Sequence, residues 1–504
     1  MKRLNTLSLL LSAALVTLTT SPVLRAQTTD APTTGESITI ELSETKDKVL
    51  CVGAFTPDCN AWIDINGDGE CQDNERLGRD SERPEDYTDI FYMGPEVQYF
   101  NLDENTPKIH IYGELEALRF ENSETQTAPV SIDLSKTTKM KFFRAYECEE
   151  LQGVTFPDQE NNCCEVLIIQ YSALEELDLS SFESLKVLVA SFNKQLRSVT
   201  QAHCEDMKEL DFSFTMIPSI DLSLTPGLMS LYLCMAQLSE IDLSPTPDLE
   251  ELSIGANYLT KVDLSKTPNL YYLSIYENEL EEIDVTSLED LEILEVEQNK
   301  LTKLDLSKNV NLEELTLHLN KITSLDLSML KELHLLSIYE NNISEQEMEQ
   351  VIAKMPQCKK PSEDDEYEEP WGYLYIVNTL SPQGNVCNTL QVAKLKEMGW
   401  TPLDVKGADP QEFMNGAVEY EGSTPTHVTS PTKSDELRIS YTPTAIRVEG
   451  LTPGTVVSLF DAQGQLLRRI NSRRSPMVQI SRDVLPAGSY ILTIAGESYK
   501  VVLD

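Results

Sequence analysis

Residues 249–269 read LEELSIGANYLTKVDLSKTPN, residues 270–290 read LYYLSIYENELEEIDVTSLED, and residues 291–311 read LEILEVEQNKLTKLDLSKNVN. Each unit has 21 residues and the pattern LxxLxLxxNxLxxIDLSxxPx. A fixed period of this length marks a solenoid, because one such unit cannot bury its own leucines. In LxL the leucines point one way and the residue between them the other, the period of a β-strand. Stacked units then pair their strands in parallel and bury a leucine ladder.

Working outward, one aspartate column runs Asp221, Asp242, Asp263, Asp284, Asp305, Asp326 at a spacing of 21. Counting back gives Thr200, Asp178, Thr155 and Asp133. The reading is about ten repeats of 21–23 residues over 107–341. Asn257, Asn278, Asn299, Asn320 and Asn341 follow the strands, where an amide can satisfy backbone groups freed by the bend. Aspartates stacked at ~4.8 Å repel by roughly 1 kcal/mol per neighbour in water. They serve either as a cation ladder or as turn caps that accept backbone N–H groups. Thr155 and Thr200 favour caps, since threonine is a poor metal ligand.

The period, LxxLxLxxN and the Leu ladder resemble the leucine-rich repeat family. The resemblance implies an α/β-type solenoid with parallel strands on a concave face and a mostly irregular or extended convex side. The register puts Tyr146, Phe192, Phe214, Tyr232, Tyr272, Tyr276, His318 and Tyr339 on the concave side, together with Arg144. Acids accompany them at 209, 211, 277, 295, 297, 314 and 340. Exposed aromatics among acids suit a protein- or glycan-binding surface, because tyrosine offers contact area at low entropy cost. Some of these rings could equally pack on neighbouring repeats. His334 lies early in its unit and does not pair with His318. No Ser/His/Asp or Cys/His constellation emerges, so an enzyme is not expected.

The flanks differ from the array. Residues 1–26 have a basic start and an apolar run, and read as a secretory signal too short to span a bilayer. No later run is long enough for a transmembrane helix. Residues 27–106 form an N-terminal cap region. Within it DINGDGECQDNE places Asp64, Asn66, Asp68, Glu70 and Glu75 at positions 1, 3, 5, 7 and 12 of a calcium loop. Position 7 would give its backbone carbonyl, and Gly69 takes the turn. The flanking sequence lacks amphipathic helices, so Ca²⁺ and a plain acidic turn both remain open. After Asn341, a helix capped at Ser344 and a second one capped at Asn388 and ended by Gly399 read as a C-terminal cap over 342–404. Residues 363–369 form an acidic insertion, and 405–434 read as a linker. A disulfide between Cys358 and Cys387 is one possible closure, since exported chains can oxidise their ten cysteines.

Charge narrows the function further. The chain has 504 residues, 83 acidic against 40 basic, for a net charge of −43. That excludes a non-specific nucleic-acid binder and argues against anionic membranes. The acidity lies before residue 435, because the last 70 residues hold eight basic and seven acidic ones. This last stretch has short alternating strands and Pro/Gly turns, which predicts a small all-β, Ig-like sandwich over 435–504. SLFDAQGQLLRRI, LPAGSYILTI with Pro486, Gly488 and Tyr490, and Lys500 near the end resemble the C-terminal sorting domain of type IX secretion cargo. That resemblance implies engagement with the type IX machinery and an outer-surface or extracellular location in a Gram-negative bacterium. The whole order is similar to internalin-like surface proteins. It implies an adhesin that binds a protein or glycan on host or neighbouring bacterial cells. A secreted inhibitor of a hydrolase and a self-associating surface component are the alternatives.

Overall fold

The computed structural model describes residues 37–43, 49–56, 60–78, 87–88, 94–102, 106–122, 127–358, 372–381, 384–407, 414, 416–424, 438–441, 445–449, 451, 455–461, 466–472, 477–481, 485, 488–494 and 497–503. The expected signal 1–26, the insertion 363–369, Cys59 and Pro486 lie outside them, as do parts of the linker.

The leucine periodicity becomes a coil of short strands and turns. Between residues 117 and 337 eleven strands stack in parallel, from Ala117–Glu121 to Leu335–Ser337, in chain order. Register is strict: Leu252 pairs with Leu273, Leu273 with Leu294, Leu294 with Leu315 and Leu315 with Leu336. These leucines are fully buried and belong to one apolar cluster that runs the length of the coil. Parallel strands three to five residues long would be marginal alone; stacking gives each a neighbour on both edges.

The two ends are closed by sequence-specific devices. At the N-terminal end, Val49–Phe55 pairs antiparallel with Ala117–Glu121 and with Val97–Asn101. A second sheet covers the opposite side there, ordered Trp62–Asp64, Lys108–Tyr112, Ser37–Leu42, Pro129–Asp133, Gly153–Thr155. At the other end helix α1 (Glu345–Lys354) starts at Ser344, whose Oγ accepts the Glu347 N–H at 3.2 Å. Helix α2 (Thr389–Glu397) starts at Asn388 with a complete capping box to Gln391. Both helices match the sequence reading. Their role differs from a simple lid, because Gly372–Val377 and Trp400–Asp404 extend the main sheet by two further parallel strands. Val418–Glu419 then adds an antiparallel edge, so part of the expected linker belongs to the sheet. The apolar run GYLYIV carries no repeat signature, which is why the pattern search missed it.

Cys358 and Cys387 are free thiols, against the possible bridge. Cys358 lies against Gly372 and Gly399, whereas Cys387 sits beside Glu345 and accepts from Tyr420 through its carbonyl.

Residues 438–503 form two antiparallel sheets. One holds Arg438–Tyr441, Ala445–Glu449 and Met477–Ser481; the other holds Leu466–Asn471, Val456–Asp461, Gly488–Ile494 and Glu497–Leu503. Ile446, Val448 and Ile480 of the first share a core with Val457, Leu492 and Val501 of the second. Among the described residues, no helix is long and apolar enough to cross a membrane.

Candidate binding face

The geometry of the concave sheet follows from what fixes each turn. The residue before each ladder asparagine has positive φ: Phe192 (61°), Ala256 (52°), Glu277 (49°), Gln298 (53°), Leu319 (55°) and Glu340 (50°). The chain turns sharply off the strand there, and the asparagine side chain satisfies what the turn leaves open. Asn278 Oδ1 accepts from Leu259 N at 2.9 Å, while its Nδ2 donates to Ile254 O at 3.0 Å and Tyr276 O at 3.0 Å. Asn299, Asn320 and Asn341 repeat the bond across neighbouring turns. Each asparagine therefore ties its own turn to the one before.

On the opposite side the aspartates act as caps. Asp242, Asp263, Asp284, Asp305 and Asp326 each accept from the N–H two residues on, at 2.9–3.1 Å. These bonds hold the carboxyls of Asp242, Asp263, Asp284 and Asp305 below their ordinary range. Lys354 draws Asp326 down to about 2, with help from Ser328. The hydrogen bonds account for the column without a cation.

The aromatic residues divide into three groups. Tyr146, Phe192 and Phe214 join a row of rings through Tyr171, a ring absent from the sequence-based set. Tyr146 meets Tyr171 at 5.6 Å, Tyr171 lies on Phe192 at 4.4 Å, and Phe192 lies on Phe214 at 4.4 Å. Tyr171, Phe192 and Phe214 all occupy the positive-φ column. Their ring faces are turned on each other, so they brace a strained backbone position and offer mainly edges outward. Arg144 stands 4.8 Å above the Tyr146 ring. The signal that could have found Tyr171 is its place in the column preceding the ladder, not its place in LxL.

A second group is buried, contrary to the expectation of solvent-facing rings. Tyr272 is 5% exposed, Tyr339 1% and His318 0%. His318 stacks on Tyr339 at 4.3 Å and shares a 3.0 Å hydrogen bond with Ser337 Oγ. Tyr339 also packs with Tyr375, Leu403 and Val405 from the two added strands. The array continues past residue 341, so its last row is covered.

The third group holds carboxylates. Tyr232 and Tyr271 both donate to Glu251, and Tyr272 donates to Glu295 at 2.9 Å. Thr316 donates to Glu297. Tyr276 lies over Gly255, where a Cβ would sit 2.3 Å from the ring. Burial pushes Glu209 up to about 7, reinforced by Asp211 and Glu251. Burial also pushes Glu297 up to about 8, with Glu295 adding repulsion, and raises Glu295 and Asp211. His334 feels burial that lowers it, yet Glu314, 3.6 Å away, and Glu313 raise it on balance.

The 64–75 loop is drawn onto itself. Asp64 accepts from Gly67 N at 2.7 Å and Gly69 N at 3.1 Å; Glu75, fully buried, accepts from Ile65 N and Gln72 N. Asp68 accepts from Glu70 N at 2.8 Å, and Asn66 donates to Asp68 at 2.9 Å. Among the described residues no group of three or more His, Cys, Asp or Glu is gathered for a metal ion. The donor types suit calcium, and each carboxylate oxygen that accepts a loop N–H keeps a second lone pair. In the C-terminal unit Tyr490 is 4% exposed in the core and Lys500 is exposed on the last strand, beside the Gly488 strand.

Neither a protein-family model nor a curated protein matches the sequence. Among solved structures, the functional domain of InlJ from Listeria monocytogenes, described as including a cysteine ladder, matches at 17% identity and TM-score 0.48. That match covers 76% of this chain and 80% of the other. A leucine-rich repeat protein of Leptospira interrogans matches at 16% identity and TM-score 0.31, over 55% of this chain and 88% of the other. YopM from Yersinia enterocolitica matches at 21% identity and TM-score 0.32, over 45% and 46%.

Proposed function

We propose that the chain is an exported interaction protein that binds a protein or glycan on host or neighbouring bacterial cells through the concave sheet. One observation carries this reading. Successive parallel strands from Ser230–Tyr232 to Ile293–Glu295 set, on the face away from the leucine core, a row of half-exposed side chains that includes Ser230, Tyr232, Glu251, Ile293 and Glu295. In the same reading residues 435–504 direct export by the type IX route, and the 64–75 loop takes Ca²⁺.

The test is saturable binding of the full chain to epithelial and bacterial cells. Ser230→Trp/Ile293→Trp fills two half-exposed positions of the open face without removing a core contact. Binding abolished in this variant, with circular dichroism unchanged, supports the reading; undiminished binding refutes it. For calcium, Trp62 and Tyr112, stacked at 4.7 Å beside the loop, serve as antennae for Tb³⁺ luminescence. The expected signal saturates, is displaced by Ca²⁺ and is lost in Glu75→Gln.

A further inference from the structure

The column that follows each concave strand reads Asn193, Thr215, Ala236 and Asn257, with asparagine again at 278, 299, 320 and 341. Alanine has neither the donor nor the acceptor that asparagine gives this position. The Thr215 hydroxyl stays within its own turn, donating to Phe212 O at 2.7 Å. The amide ladder therefore lapses between the turns of Asn193 and Asn257.

The backbone shows the consequence. From Asn257 onward each ladder Oδ1 accepts from a buried N–H of the turn before, at Leu238, Leu259, Leu280, Leu301 and Ile322, over 2.9–3.1 Å. The matching group one turn earlier is Ile217 N. Ile217 is 3% exposed, and among the described residues its N–H completes no hydrogen bond. Such an amide weakens the place where it sits. A second rung fails at the same point. Met216, Tyr258, Glu279, Lys300, Lys321 and Asn342 each donate their N–H to the carbonyl 20 residues earlier, at 2.8–2.9 Å. Among the described residues the equivalent bond from Gln237 N to Ile217 O is not formed. Gln237 has a positive φ of 64° instead, two residues after Met235 at 52°. Every other turn from Glu147 to Glu340 holds one such non-glycine residue, so backbone strain is doubled here.

Each half of the array is tied as far as this edge. On the N-terminal side the rings of Tyr171, Phe192 and Phe214 stack from turn to turn, and Met235 ends the row. On the C-terminal side Asn257 Oδ1 accepts from both Ala236 N and Leu238 N, so the stitched part begins at Ala236. The concave ladder crosses between them, with Phe214 N donating to Cys234 O at 2.7 Å and Cys234 N to Ser213 Oγ at 3.2 Å. The leucine core also runs through. Turns of a solenoid touch only their neighbours, so an interface short of bonds opens before the others.

We propose that the array is jointed at this turn. The edge between Ile217 and Gln237 opens ahead of the rest, and the two halves bend there about the paired strands Glu209–Asp211 and Ser230–Tyr232. The joint does not depend on which surface meets a partner.

The experiment is amide hydrogen exchange on the full chain, resolved to single residues by fragmentation in the mass spectrometer and expressed as protection factors. Phe214 N is compared with Ala256 N and Glu277 N, which make the same bond in later turns. The expected protection of Phe214 is at least fivefold lower than that of either. Ala236→Asn returns an acceptor to Ile217 N, and should raise Phe214 protection at least fivefold while leaving Glu277 within twofold. Gln237→Gly relaxes the second positive φ and is the variant to use should the buried amide fail to fit; it should shift Phe214 in the same direction. A difference smaller than fivefold in the wild-type chain overturns the joint. Low protection that neither variant raises also overturns it, because the missing bonds and the strained turn would then not be its cause.

Discussion

Single residues carry the solenoid's geometry, and they differ in what they contribute. Asn278 serves four backbone groups, three of them through its Nδ2. Asn278→Ala leaves those groups without a partner in the interior, so the expected loss is about 3 kcal/mol in urea unfolding. Asn278→Asp should cost as much, because a carboxylate cannot donate to carbonyls. Asp263→Ala removes only an exposed Asx bond and should cost clearly less. The buried glutamates make a pH prediction. Glu209 and Glu297 titrate near 7 and 8 in the folded chain, above the ordinary 4.5. The native state therefore holds extra protons between about pH 4.5 and 8, and its stability falls as pH rises through that window. Glu209→Gln/Glu297→Gln should flatten the decline, read as unfolding midpoint at pH 5 against pH 8. An unchanged slope would show that other groups cause it.

At the scale of elements, the helix starts are testable. Asn388 caps α2 through Leu390 N and Gln391 N and also reaches Glu345 on α1 at 2.6 Å. Asn388→Ala should cost about 1–2 kcal/mol and loosen both helices together, seen as faster amide exchange in each. These helices were legible because capping residues and apolar spacing are local. The strands of the array were legible because 21-residue periodicity repeats the same local constraint many times. The strand at Gly372–Val377 was not, since a single short apolar run looks alike in a sheet, a helix or a cap. That omission explains the misplaced exposure of Tyr339, whose register was right but which is covered by Tyr375 and Leu403 from strands without a repeat signature; His318 lies under Tyr339 of the next repeat. Tyr272 was misjudged for another reason. A concave sheet crowds its side chains laterally, and alternation along one strand says nothing of crowding between strands. The acidic–tyrosine patch was legible only as separate acids and rings, because which hydroxyl meets which carboxylate depends on the pairing of four strands.

For the whole molecule, a solenoid makes stability the sum of many neighbour contacts. Leu294→Ala, in mid-array and fully buried, should cost 2–5 kcal/mol by the usual range for such deletions. Net charge acts over the same length. With −43 on the chain, mutual repulsion opposes the folded state, and salt screens it beyond ~10 Å at 0.1 M. The thermal midpoint should rise between 20 mM and 300 mM NaCl, and a fall would show that attractive pairs dominate instead. Under the proposed function the concave sheet is where this protein meets its partner. The most direct measurement is saturable cell binding by the full chain beside Ser230→Trp/Ile293→Trp, with both shown to be folded. The wild-type chain should bind and the variant should not; equal binding by the two would place the partner's site elsewhere.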